Sequence, residues 1–204
     1  MMNKYKTLTW TEQKNEFKIG CSLEVFISPA KSKTIFITLP GVDGSIDGYK
    51  DKYKRIAENT QKERGMATVR MSNPFISSYH WDSNIRHVLD YVLANKLAIT
   101  NYEDIEIQIM AHSAGAAIIA QIAWEYPEIK KLLLVNTAFK MNPDKILGGL
   151  SNFIGTVQFV FGRKDPSIEW AKKLKEKYEV SVIDGADHNF SGECFEIFIG
   201  LPTI

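Results

Sequence analysis

Short apolar runs rich in β-branched and aromatic residues alternate along the chain with longer stretches whose apolar positions recur every three or four residues. The first pattern belongs to strands and the second to amphipathic helices, so their alternation predicts a parallel α/β sheet. Strands are expected at Leu23–Ile27, Thr34–Leu39, Ala67–Met71, Ile105–Met110, Leu132–Val135, Thr156–Phe161 and Val180–Ile183, with a weaker one at Tyr5–Trp10. A helix is expected over Tyr49–Glu63, where Tyr49, Tyr53, Ile56 and Ala57 share a stripe and Gly65 stops the turn. A second should run from about Asn84 to Lys96, behind an N-cap at Asp82 or Ser83, with Ile85, Val88, Leu89 and Val92 on one face. Further helices should run from Ala114 to Tyr126, where Pro127 ends the pattern, after Asp165-Pro166, and from about Gly192 to the end.

These elements fit residues 1–204 as one layered domain: a mostly parallel sheet of about eight strands with helices on both faces. Composition agrees, since 45% hydrophobic and 24% charged residues are enough to build a core without metals or disulfides. Lys and Arg number 25 against 24 Asp and Glu, a formal net charge of +1 that supplies no global field for nucleic acid or an anionic membrane. Cys21 and Cys194 are far apart and lack the spacing of a thiolate metal site, so two reduced thiols, no metal and no cofactor are expected. The amino-terminal stretch is broken by charges, and no run reaches the roughly 20 apolar residues of a membrane span. A cytoplasmic protein with no membrane insertion is the expectation, its oligomeric state open.

One strand-to-helix junction carries chemistry. Ile105–Met110 leads directly into Ala111-His112-Ser113-Ala114-Gly115, and a helix with Ile118, Ile119 and Ile122 on one face follows. A serine on such a sharp turn presents its Oγ above the carboxyl end of the sheet, and small residues two before and two after let the helix backbone approach the strand. The bland alternative is a packing turn of small residues. A serine hydroxyl needs a base, and four histidines compete. His112 is expected to be packed or hydrogen-bonded beside the serine, His87 solvated on a helix, and His80 at most a substrate contact. His188 follows the last expected strand in a turn-rich loop and is the expected base.

The base in turn needs an acid for its other ring nitrogen. Asp165 follows Thr156–Phe161 in Gly162-Arg163-Lys164-Asp165-Pro166, which puts it too at a strand's carboxyl end. It could instead be only an N-cap, and Asp144 is the alternative acid. The charge that develops on the substrate oxygen calls for two preset amides, expected from Ala114 and, after Thr34–Leu39, from Val42, with Gly41 allowing close approach. Leu39–Gly44 matches no dinucleotide or phosphate-binding glycine pattern.

Leu39-Pro40-Gly41, Ala111–Gly115, Gly162–Pro166 and Ala186-Asp187-His188 together resemble the α/β-hydrolase superfamily over nearly the whole chain. The resemblance implies Ser113 as nucleophile, Asp165 as acid, His188 as base and an oxyanion hole from Val42 and Ala114. Two departures stand out. Ala111 replaces the usual glycine, and Asn136–Gly155 is too short for the cap domain many members insert.

The implied activity is hydrolysis of a carboxylic ester or related small acyl compound through an acyl-serine. A thioesterase, an acyltransferase, a small peptidase with Asp43 near the substrate amine, or a non-catalytic binding module would share the same residues. Phe75, Tyr79, Trp81, Phe139 and Phe190 are expected in edge loops as an apolar substrate pocket.

Overall fold

A computed structural model describes residues 2–75 and 82–203. The strands are β1 (Lys4–Lys14), β2 (Phe17–Ser28), β3 (Thr34–Leu39), β4 (Ala67–Met71), β5 (Glu106–His112), β6 (Ile129–Val135), β7 (Thr156–Gly162) and β8 (Glu179–Ile183). The helices are α1 (Lys52–Arg64), α2 (Ser83–Ala94), α3 (Lys96–Thr100), α4 (Ala114–Ile122), α5 (Pro143–Asn152), α6 (Ala171–Leu174) and α7 (Phe195–Gly200). All eight strands join one sheet in the order β1-β2-β4-β3-β5-β6-β7-β8. From β4 to β8 every pairing is parallel, whereas β1 and β2 add an antiparallel hairpin at one edge.

The core lies on both faces of this sheet, as a parallel sheet requires. Ile35, Ile37 and Leu39 of β3 and Ile107 and Ile109 of β5 point to the side covered by α2, α4 and α5. Phe36 and Met110 point to the other side, where Tyr53 and Ile56 of α1 and Phe198 of α7 meet them. The chain leaves β3 for β4 on one side and takes up β5 on the other, so the crevice between β3 and β5 opens at the carboxyl edge. Ligands in open α/β sheets bind in such a crevice.

The observed elements follow the expected ones apart from four main differences, of which the short α3 beyond the expected second helix is one. β1 and β2 extend into an 11-pair hairpin whose outer half has one solvated face and little apolar signal. α5 was not expected. Asn142 caps it by accepting from the Lys145 amide, and Pro143 fills its first turn. The segment after Asp165 folds as a 3-10 helix, Pro166–Trp170, before the single turn of α6. Gly65 takes the left-handed conformation and caps α1 as expected, with φ 65°. Cys21 and Cys194 are buried and unpaired with each other. No helix among the described residues is long and apolar enough to cross a membrane.

Candidate active site

Ser113 sits between β5 and α4 with φ 56° and ψ −120°, a conformation L-residues rarely adopt and one that persists only when its surroundings enforce it. Those surroundings are visible. The Ser113 amide donates to the Val135 carbonyl at 2.9 Å, and its own carbonyl accepts from Ala117 and Ala138. Gly115 lies so close to the end of β3 that an added Cβ would sit 2.3 Å from the Pro40 carbonyl oxygen. Ala111 is fully buried, so at this elbow the methyl at the first small position is accommodated. The second position tolerates none. Alanine normally favours a helix over glycine by about 1 kcal/mol, but overpacking against fixed backbone costs about 3 kcal/mol. Gly115→Ala should therefore lose about 2 kcal/mol and lower Tm by roughly 4–8 °C, readable by calorimetry.

The loop after β3 is held over Ser113 by side chains that the sequence pattern did not single out. Asn73 donates from Nδ2 to the Pro40 and Gly41 carbonyls at 3.2 and 3.3 Å, and its carbonyl accepts from the Asp43 amide at 2.8 Å. Asn84 at the start of α2 donates to Asn73 Oδ1 at 2.8 Å. At Gly41 a Cβ would come within 3.3 Å of Ser113 Cβ, so glycine leaves the hydroxyl uncovered. The amides of Val42 and Ala114 belong to residues that line one cavity of about 680 Å³ with Ser113 and His188. Neither amide donates to a partner among the described residues.

Asp165 and His188 meet across the ends of β7 and β8. His188 Nδ1 donates to Asp165 Oδ2 at 2.5 Å, with the carboxylate 2% exposed and the imidazole 45% exposed. The other carboxylate oxygen accepts from the Ser167 amide at 2.7 Å and from its hydroxyl. Asp165 thus caps the 166–170 helix with one oxygen and accepts from His188 with the other. Asp144 lies exposed in the first turn of α5 and does not take part. Among the described residues no hydrogen bond joins Ser113 Oγ to the His188 ring. Such contacts are commonly long without substrate and tighten in the complex.

The His188 backbone is clamped from two sides. Its carbonyl accepts from His112 Nε2 at 2.7 Å and from Asn136 Nδ2 at 3.0 Å. Asn136 is fully buried, has φ 45°, also donates to the Asp187 carbonyl, and accepts from the Gly162 amide at 2.8 Å. It therefore fastens the ends of β6 and β7 to the loop that carries His188. At Gly162 a Cβ would lie 2.6 Å from the Ala186 carbonyl oxygen, so these segments touch through bare backbone.

His112 is buried, and its pKa is pushed down to about 3, first by burial and then by the Lys52 charge. A histidine neutral in the fold but protonatable when unfolded binds more protons in the unfolded state. Its contribution is complete above its ordinary value of 6.5 and is lost as pH falls toward about 3. The expected slope in that window is up to about 1.4 kcal/mol per pH unit, and His112→Gln should flatten it in urea titrations between pH 7 and 4.

Other expected contacts fall elsewhere. Phe139 and Phe190 are buried core residues at 1% and 0% exposure, stacked on Trp170 and tilted against Phe198 respectively, and do not line a substrate pocket. His87 rests against the Trp10 ring at 4.2 Å and is half-buried, not solvated. Phe75 is exposed, while Tyr79, His80 and Trp81 lie outside the described residues. A second cavity of about 810 Å³ between α2, α4 and α5 shares Met141 with the first and holds none of the candidate catalytic residues. No group of three or more His, Cys, Asp or Glu among the described residues is placed to hold a metal ion.

Residues 76–187, more than half the chain and including Ser113 and Asp165, match the family model described as serine aminopeptidase, S33. The chain belongs to that family. It is an α/β-hydrolase of the serine-hydrolase type. No curated protein matches its sequence. Among solved structures, a dienelactone hydrolase from Anabaena variabilis is 16% identical, with 98% of this chain and 95% of that one covered and a TM-score of 0.70. A lidless serine hydrolase from Xanthomonas campestris is 14% identical, with 97% and 93% covered and a TM-score of 0.66. Carboxyl esterase 2 from Tuber melanosporum is 12% identical, with 98% and 84% covered and a TM-score of 0.66. At these identities the likeness concerns the fold. In this S33-family chain the connection between β6 and β7 is a 3-10 turn and one helix.

Proposed function

We propose that this S33-family hydrolase cleaves a carboxylic ester or related small acyl substrate through an acyl-Ser113 intermediate. The observation that carries this reading is the Asp165–His188 bond at 2.5 Å, made beside the cavity that holds Ser113 on its elbow. His188, its Nδ1 proton engaged by Asp165, leaves Nε2 to take the Ser113 proton and then hand it to the leaving group. The amides of Val42 and Ala114 stabilise the oxyanion as it forms, and water repeats the sequence to release the acid. Asp165 orients the imidazole and stabilises its cation, its second oxygen already held by Ser167.

A peptidase is the second reading. The family description names a serine aminopeptidase, and Asp43 lines the same cavity. Against a free role for that carboxylate, its Oδ1 accepts from the Phe75 amide at 2.8 Å. A panel of short-chain esters, thioesters and amino-acid amides separates the readings, and added alcohols or thiols reveal acyl transfer. Before any substrate is known, a fluorophosphonate probe should attach to one peptide, the one containing Ser113, as read by mass spectrometry. Adduct on a different residue would refute Ser113 as nucleophile.

A further inference from the structure

Lys52, the first residue of α1, is an unusual occupant of this cavity. Only 5% of it is exposed, yet its ammonium has no ion pair or hydrogen bond among the described residues. What it touches are two aromatic faces, Phe198 at 4.7 Å and Tyr53 at 5.1 Å from the ring centroids. The carboxylate whose charge acts on it is that of Asp187, whose Oδ1 is already taken by the Asn189 and Ser191 amides. Burial lowers the lysine pKa to about 8, with Asp187 opposing, so the group is still mainly protonated at pH 7. A cation so largely covered, its tip at the cavity surface and no anion against it, costs free energy, and an anion that arrives with the substrate would recover part of it. Lys52 lines the cavity together with Ser113, His188, Val42 and Ala114.

We propose that Lys52 is an anion subsite and that the preferred substrates are acyl compounds bearing a carboxylate at the end remote from the scissile bond. A carboxylate is favoured over a phosphate dianion because one ammonium balances one negative charge, while Asp43 at the cavity and Asp187 nearby repel further charge. The proposal rests on the acyl-Ser113 reading for its reaction, but not for its binding site. The bland explanation is that the lysine stem merely packs on Phe198 while its tip reaches water.

Substrate pairs matched in length decide between them. Wild-type protein should hydrolyse monoethyl glutarate at least tenfold better in kcat/KM than ethyl pentanoate, followed by acid release in a pH-stat. Lys52→Met keeps the apolar stem and should abolish that preference, raising KM for the glutarate ester about 10- to 100-fold while changing the neutral ester less than threefold. Lys52→Arg should recover part of it. Equal losses on both esters, or a wild type without preference, would overturn the proposal.

Binding provides the arm that needs no turnover. Glutarate should bind Ser113→Ala protein by calorimetry and should not bind the Ser113→Ala, Lys52→Met double variant. Absent glutarate binding, or tighter binding of inorganic phosphate, overturns the carboxylate assignment. Glutarate bound through Lys52 in a protein whose Ser113 resists the fluorophosphonate would leave the subsite standing and remove the acyl-serine mechanism. A labelled Ser113 with no anion preference would do the reverse.

Discussion

Ser113→Ala should lower kcat on a short-chain ester about 10⁶-fold and abolish fluorophosphonate labelling, while leaving Tm within a few degrees of wild type. The size follows from the loss of the atom proposed to form the covalent bond; what would survive is binding and oxyanion stabilisation. The fold should survive because serine and alanine bear the same backbone strain at φ 56°, and the bonds that impose it run through the 113 amide and carbonyl, not the hydroxyl. Circular dichroism melts and initial rates on the same preparation read both quantities. A variant that retains more than about a hundredth of wild-type kcat would place the nucleophile at another residue.

Asp165→Asn should cost about 10⁴-fold in kcat with little change in stability. The asparagine carbonyl can still accept from the Ser167 amide, which Asp165 holds at 2.7 Å, so the 166–170 cap is preserved. Its amide, however, cannot both accept the His188 Nδ1 proton and stabilise the imidazolium, so the ring is held in the wrong tautomer for taking the serine proton. By contrast Asp144→Asn, at an exposed position of α5, should leave kcat unchanged. If Asp165→Asn remained within tenfold of wild type, the carboxylate would be a cap and no more. Steady-state rates of both variants against one ester distinguish these outcomes.

Much of the sheet was legible because parallel strands buried on both faces read as unbroken apolar runs, and Thr34–Leu39 and Ala67–Met71 were placed to the residue. The β1–β2 hairpin was harder. Its outer strand turns Thr7, Thr9 and Thr11 to solvent, so the sequence marks only Tyr5–Trp10 of it, and weakly. α5 was hidden by Gly148 and Gly149, which argue against a helix in one dimension. In three dimensions Gly149 is required, since its Cβ would lie 2.3 Å from the Ala120 carbonyl oxygen where α4 and α5 meet.

In the candidate site, the placing of Ser113, Asp165 and His188 at strand ends, and the Asp165–His188 bond, were foreseeable because each follows a strand in the order expected of such a triad. Asn136, Asn73 and Lys52 were not, since their partners lie far along the chain and no local spacing marks them. Asn136 had one faint signal: asparagine directly after a strand is a residue that tolerates positive φ. The aromatic loops misled for a related reason, because Phe139 and Phe190 sit beside loops but turn inward, and composition does not record which way a ring faces.

The clamp on the His188 carbonyl has a kinetic corollary. The bond from His112 reaches across 76 residues, and the ends of β5 and β8 that it links are brought to this spacing only after β6 and β7 have docked between them. Contacts of such separation are slow to form, because the intervening chain must be ordered before they repay its lost freedom. Recovery from denaturant should therefore restore helical signal first and hydrolytic competence last, which makes turnover a sensitive gauge of how far assembly has gone.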